Sequence, residues 1–248
     1  MNIIKNIFAR IWSFWGLITF LLTFLIFFWP AMIAWLMPPL KGQLFFGRIS
    51  RIWMRIWLFI VGCPVTVTGK ENFAAGKSYV VVFNHNAFLD VTISSPFVPG
   101  ANKTIAKSSF TKIPLFGWYY SKGSVLVDRK DEKSRSRSFE SMMKVLQDGM
   151  HMCIYPEGTR NRTDKPLKEF YDGAFRLALA SGKDIMPCVI FGTKKAMPIN
   201  RSFYFLPTKL RMEFLPPVTS KNRSVSELKE EVFKLMWNHY VGHTTAKG

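Results

Sequence analysis

Two short polar clusters, each directly after an apolar run, hold the residue types in this chain that could do chemistry. The first is Asn84-His85-Asn86-Ala87-Phe88-Leu89-Asp90. The β-branched and aromatic run Tyr79 to Phe83 precedes it and reads as a buried strand. A histidine at the C-terminal end of such a strand lies where open α/β sheets place their chemistry. On one continuous helix, His85 and Asp90 would point apart. With His85 in a turn and Asp90 in the first turn of a following helix, the carboxylate can fold back onto the imidazole. It would hold one ring nitrogen protonated and leave the other free as a base. The same residues also fit a turn histidine beside an acid at a helix N-terminus. The second cluster, Pro156-Glu157-Gly158-Thr159-Arg160, follows the strand-like Met152 to Tyr155. Taken alone, it reads as a turn with a solvated Glu-Arg pair.

The elements that must position these clusters are bounded by composition. A chain of 248 residues can bury one good core and carry an appendage. Its net charge is +18, yet 48% of its residues are hydrophobic and 15% aromatic. Nucleic-acid binding would explain the charge but not the hydrophobicity, whereas an anionic lipid surface explains both. Cys63, Cys153 and Cys188 are odd in number and widely spaced, which argues against a disulfide framework and suits a reducing cytosol. His239 and His243 have helical spacing, but they fall in a tail expected to fray, with no acidic neighbour in sequence, and read as structural or solvated.

From Ile11 to Leu40 no residue is charged, a span longer than a bilayer-crossing helix needs. Pro30 interrupts it and Pro38-Pro39 ends it; no small-residue cleavage site marks it as a secretory signal. Basic residues flank both sides (Lys5, Arg10; Lys41, Arg48), so two topologies fit: a single span, or a hairpin kinked at Pro30 that dips into one leaflet. In the next segment Arg48, Arg51 and Arg55 share one helical stripe, while Ile49, Ile52, Trp53, Ile56 and Ile60 take the other side. That pattern suits a helix in the membrane interface.

Further strands are expected at 65–68, 103–107, 124–129, 185–191 (broken by Pro187) and 210–215. Helices are expected at 130–149, 170–180 and 224–240. Residues 110–120, with Pro114 and Gly117 among large apolar side chains, are too broken for a core helix and suit an apolar wall near the site. This alternation predicts an α/β fold: a mostly parallel, mixed sheet flanked by helices, behind an N-terminal helical membrane anchor. The expected division is a membrane-binding segment at 1–62 and one globular domain at 63–248.

In this order, some seventy residues apart, Asn-His-(four residues)-Asp and Pro-Glu-Gly-Thr-Arg resemble the glycerolipid acyltransferases of the 1-acylglycerol-3-phosphate acyltransferase (PlsC) type. The likeness runs from about Val65 to Val218. It includes Phe110-Thr-Lys-Ile-Pro114-Leu-Phe-Gly117 after Ala106-Lys107, Gly173-Ala174-Phe175, and Ile185-Met-Pro187-Cys-Val189. Tyr171 and Asp172 depart from the pattern, standing where basic residues are usual; Cys188 replaces a β-branched aliphatic.

The resemblance implies a membrane enzyme on the cytoplasmic side of the inner membrane. His85 would deprotonate the sn-2 hydroxyl of lysophosphatidate for direct attack on an acyl thioester, with Asp90 orienting the imidazole. Arg160 would grip the phosphate, aided by Gly158, Thr159 and Lys107. Glu157 would hydrogen-bond the glycerol or hold Arg160. No GxSxG elbow is present to supply a nucleophile. Neither metal nor redox cofactor is expected, and the co-substrate would be acyl-coenzyme A or acyl carrier protein. The expected partners are lysophosphatidate, that donor and an anionic bilayer, with no nucleic acid. The basic run Arg129, Lys130, Lys133, Arg135, Arg137 reads as a solvated helix face, then as a lipid or donor contact. A rival in the same class acylates another lysolipid, an amino-acid lipid or a lysophospholipid with a headgroup; a remoter rival is a non-catalytic basic module that binds membrane or nucleic acid.

Overall fold

The structure, a computed structural model, describes residues 3–128 and 131–245. Among them, seven strands form one sheet: β1 (Val65–Thr68), β2 (Val80–Phe83), β3 (Asn102–Lys107), β4 (Ser124–Val127), β5 (His151–Ile154), β6 (Ile185–Phe191) and β7 (Leu210–Phe214). Their order is β1-β7-β6-β2-β5-β3-β4, and every pairing is parallel except β6 with β7. Central β2 shows why the sequence chose this layout. Its continuous apolar run serves two cores, with Val80 and Val82 in one and Val81 and Phe83 in the other. The break expected at Pro187 does not occur. The Pro187 carbonyl accepts from Leu215 N–H at 2.8 Å and β6 runs through it.

Eight α-helices complete the described chain: α1 (Ile3–Met32), α2 (Pro39–Ile60), α3 (Asp90–Phe97), α4 (Phe116–Lys122), α5 (Glu132–Gln147), α6 (Gly173–Ser181), α7 (Thr193–Ala196) and α8 (Val225–Thr245). Helices α5, α6 and α8 cover one face of the sheet, and α1, α2 and α3 cover the other. Asp131 caps α5 through the backbone N–H groups of Lys133 and Ser134. The expected helix start at Phe170 lies three residues too early: Phe170 is a buried loop residue, and α6 begins at Gly173. Of the basic run, Arg129 and Lys130 lie outside the described residues. Lys133 and Arg137 are exposed, and Arg137 pairs with Asp131.

The N-terminal segment is a helical hairpin, and it turns later than expected. Helix α1 continues through Pro30, and the chain reverses after the 3-10 turn Ile33–Leu36, where Pro39 opens α2 at a position that needs no N–H donor. Tryptophans stitch the helices together antiparallel. Trp12 Nε1–H donates to Val61 O, Trp57 Nε1–H to Gly16 O, and Trp53 Nε1–H to Thr23 Oγ1. Trp53 and Trp57 share a core with Tyr79, Val81 and Phe83, so the hairpin is a layer of the fold as well as an appendage.

This packing corrects the expected division of α2 into two stripes. Trp53 faces α1, and Arg51 donates to the Pro96 and Val98 carbonyls at the end of α3. Ile52 and Ile56 share the exposed side with Arg48 and Arg55. A helix with two partners splits its faces by contact, not by polarity alone.

Candidate active site at the strand ends

Parallel pairing of β2 with β5 (Val82 opposite Ile154) makes the two motif loops leave the same edge of the sheet side by side. Asn84 fixes the first exit. Its amide is buried and meets Ile190 of the neighbouring strand twice, accepting from N–H at 2.7 Å and donating to C=O at 3.0 Å. His85 is then held on every side. Its N–H donates to Glu157 Oε1 (2.8 Å) and its carbonyl accepts from Asn161 N–H (2.6 Å). Its Nδ1 lies 2.8 Å from Asp90 Oδ2. The ring stacks on Tyr155 with centroids 4.2 Å apart, and the Tyr155 hydroxyl is tied to Ser94 Oγ.

Asp90 is fully buried at the start of α3, as the spacing predicts. The same Oδ2 accepts from the backbone N–H of Asn86 (2.6 Å) and of Ala87 (2.8 Å). An oxygen receiving two backbone donors is a carboxylate acceptor, so Nδ1 of His85 must be the protonated nitrogen. Nε2 keeps its lone pair. The His85 side chain is 16% exposed, enough for an acceptor hydroxyl to reach it. Asp90 Oδ1 has no partner among the described residues.

The second loop divides its labour. Glu157 is fully buried, with Oε1 on His85 N–H and Oε2 on Lys168 N–H at 3.0 Å. Desolvation pushes its carboxyl up to about 7, against the pull of those two backbone donors. With one backbone donor on each oxygen, Glu157 joins the two loops, and its contacts among the described residues do not include Arg160. Gly158 turns the chain at φ +70°, a conformation that favours glycine. Beyond it Thr159 and Arg160 are exposed. Thr159 Oγ1 accepts from Lys168 Nζ at 3.0 Å, and the Arg160 guanidinium has no partner among the described residues. Lys107 is exposed at the end of β3, across β5 from β2, on the order of 10 Å from the His85 strand.

Several contributors were missed in the sequence. Tyr155 and Asn161 lie within or beside the motifs and carried a signal in their position at a strand end. Lys168 did not, and neither did Tyr240, whose hydroxyl faces the Asn86 side chain from α8 while its ring stacks on Phe191. Asp172, a departure from the family pattern, pairs with Lys229 of α8 at 2.7 Å.

The expected apolar wall is part core and part surface. Leu115 and Phe116 pack inward, and Gly117 is required because a Cβ there would meet the Thr111 carbonyl oxygen at 2.1 Å. Phe110 and Trp118 are exposed, as are Phe88 and Val91 beside His85. Trp118 stacks on Phe28 of α1, which joins this apolar surface to the hairpin.

Comparison with known proteins agrees with the geometry. A 1-acyl-sn-glycerol-3-phosphate acyltransferase of Chlamydomonas reinhardtii is 29% identical over 73% of this chain and 55% of its own length. The enzyme of that name from Borreliella burgdorferi is 31% identical over 59% and 60%, and that from Limnanthes douglasii is 27% identical over 94% and 77%. The chain thus spans little more than half the length of several curated relatives it matches. The crystal structure of the LPA acyltransferase PlsC from Thermotoga maritima superposes with a TM-score of 0.80 over 98% of both chains at 23% identity, which shows the fold. The acyltransferase family model matches residues 64–191, a span that holds His85, Asp90, Lys107 and Arg160, and the chain belongs to that family.

Proposed function

We propose that the protein is a membrane-bound 1-acylglycerol-3-phosphate acyltransferase, moving a fatty acyl group from a thioester to the sn-2 hydroxyl of lysophosphatidate. The observation that carries this reading is the Nδ1–H bond from His85 to the buried Asp90, which leaves Nε2 as a base on a partly exposed side chain. Nε2 removes the hydroxyl proton as the oxygen attacks the thioester carbonyl. The tetrahedral adduct collapses with loss of thiolate, and the imidazolium returns its proton to that sulfur. Phosphatidate and a free thiol result. Asp90 stabilises the imidazolium between the two transfers. Arg160, exposed and without a partner among the described residues, suits a phosphate that must be gripped at the surface, with Lys107 as a second contact. The chemistry assigned to these residues uses no metal or redox cofactor.

The lipid substrate is reached from the membrane. Residues Ile3–Leu36 are long and apolar enough to cross a bilayer by length and composition, yet one face of α1 packs against α2 and Phe205. The other face exposes Ile11, Ile18, Leu22, Leu25 and Trp29. These contacts favour a hairpin lying in one leaflet over a single span. Three buried free thiols and the +18 charge favour the anionic cytoplasmic face of the inner membrane.

The test is acyl transfer in anionic vesicles containing lysophosphatidate, with acyl-coenzyme A and acyl carrier protein thioesters supplied separately. Phosphatidate from the wild type, and none above background from a folded, vesicle-bound His85→Ala variant, is the expected result. Product from lysophospholipids bearing a headgroup, but not from lysophosphatidate, would reject the acceptor.

A further inference from the structure

The tail expected to fray is instead helical through Thr245, and the acidic partner missing from the local sequence arrives from the sheet. Glu213 of β7 faces His239 and His243 of α8, with one ligand atom from each residue inside a 4.8 Å cluster. His239 Nε2 is 2.7 Å and His243 Nε2 is 3.6 Å from the same oxygen, Glu213 Oε2. The other oxygen, Oε1, is occupied by Arg211 at 3.4 Å.

His243 carries the decisive detail. Its Nδ1 lies 3.1 Å from the His239 carbonyl oxygen, which can only accept, so Nδ1 holds the proton. Nε2 is the ring nitrogen left facing the carboxylate oxygen. Arg211 sits on the far oxygen, which leaves Oε2 to the two rings. The Nδ1–H to carbonyl bond is also the outer contact that fixes the tautomer of metal-bound histidines. Spacing by four residues on one helix puts both rings on one side, the usual way a helix offers two imidazoles to one ion. A tetrahedral ion with bonds of about 2.0–2.1 Å holds its ligand atoms about 3.3 Å apart. The observed 2.7 and 3.6 Å bracket that value. The Phe191 ring, within 6.2 Å of both imidazoles, forms an apolar wall behind them.

We propose that Glu213, His239 and His243 bind a first-row divalent cation of the zinc type, with solvent as the fourth ligand. The mixed imidazole and carboxylate set excludes magnesium and calcium as good fits. The ion staples the last turns of α8 to β7. Tyr240, between the two histidines, reaches Asn86 of the His85 loop from that stapled turn. The site is structural, apart from the acyl-transfer chemistry.

The experiment uses full-length protein free of tag histidines, stripped by chelator and titrated with Zn2+ alone at pH 7.5 by calorimetry, then with Co2+ by visible absorption. Saturable 1:1 binding, a Zn2+-dependent rise in melting temperature and a tetrahedral Co2+ spectrum are expected. His243→Ala changes a half-exposed side chain and should keep the fold by circular dichroism while weakening Zn2+ binding at least about tenfold. Glu213→Gln should do the same. An absence of saturable binding, or equal binding by wild type and both variants, overturns the site and leaves a His-Glu ion pair only.

Discussion

The two loops that build the site are held in opposite ways. In the first, the His85 backbone is bonded at both N–H and C=O, and its ring is fixed at Nδ1 and stacked on Tyr155. In the second, the backbone is tied at Glu157, Gly158, Thr159 and Asn161, but Thr159 and Arg160 are exposed and the Arg160 guanidinium has no partner among the described residues. The difference fits the tasks proposed for the two loops. A general base works only within hydrogen-bond reach of one proton, so its geometry is settled before substrate arrives. A cation that collects a phosphate from a membrane surface gains from exposure and reach.

The largest effect expected from breaking this contrast is at His85. His85→Ala should reduce turnover at least about 10³-fold in a protein that still folds by circular dichroism. A variant retaining a tenth of wild-type turnover would sink the base assignment. Next is Asp90→Asn, which keeps the shape but weakens an acceptor serving three donors. Turnover should fall about 10²–10³-fold, and stability should fall too, read by denaturant midpoint.

Arg160→Lys tests the free loop. It should raise the Michaelis constant for lysophosphatidate about tenfold, leave that for the acyl donor alone, and move stability by less than about 0.5 kcal/mol. Equal rises for both substrates would remove Arg160 from the phosphate.

Glu157→Gln probes the clamp that joins the two loops. The glutamine NH2 must face one of two backbone N–H groups, so a loss of about 1–3 kcal/mol is expected. The pH signature is separate. Glu157 has its folded carboxyl raised from 4.5 to about 7 by burial, so the folded state holds the extra proton between those values. Its contribution to stability is present below about pH 4.5 and is lost as pH rises through about 7. Denaturation from pH 4.5 to 7 should show that decline in the wild type and a flatter profile in Glu157→Gln. The smallest effect belongs to Tyr240→Phe, which removes the hydroxyl that faces Asn86. A two- to fivefold drop in kcat at constant KM is expected; an altered KM alone would mean that Tyr240 contacts substrate instead.

Much of the site was legible because it is local. His85 and Asp90 lie in one turn-and-helix segment, and the strand before them announces itself by a run of β-branched residues. Their 2.8 Å contact is what the five-residue spacing allows when a turn precedes a helix. Glu157 was half legible. Its place beside the motif was plain, but its partners, His85 N–H and Lys168 N–H, are backbone groups with no signature in the side-chain sequence. The hairpin shows the same limit. Apolar length announced a long apolar N-terminal segment, while the turn after Leu36 and the inward face of Trp53 depended on packing.

The sequence by itself determined the alternating strands and helices, the apolar N-terminal segment, and a His-Asp pair followed by a Gly-Thr-Arg turn. Each of these is written in residues within a few positions of one another, where periodicity and turn chemistry act. Tertiary structure alone decided that β5 lies beside β2, which sets the Glu157 clamp against His85. It also decided that α8 returns to place Tyr240 and two histidines against the sheet. Those contacts join residues tens of positions apart. They are selected by which apolar faces bury each other best, and no local pattern records that choice.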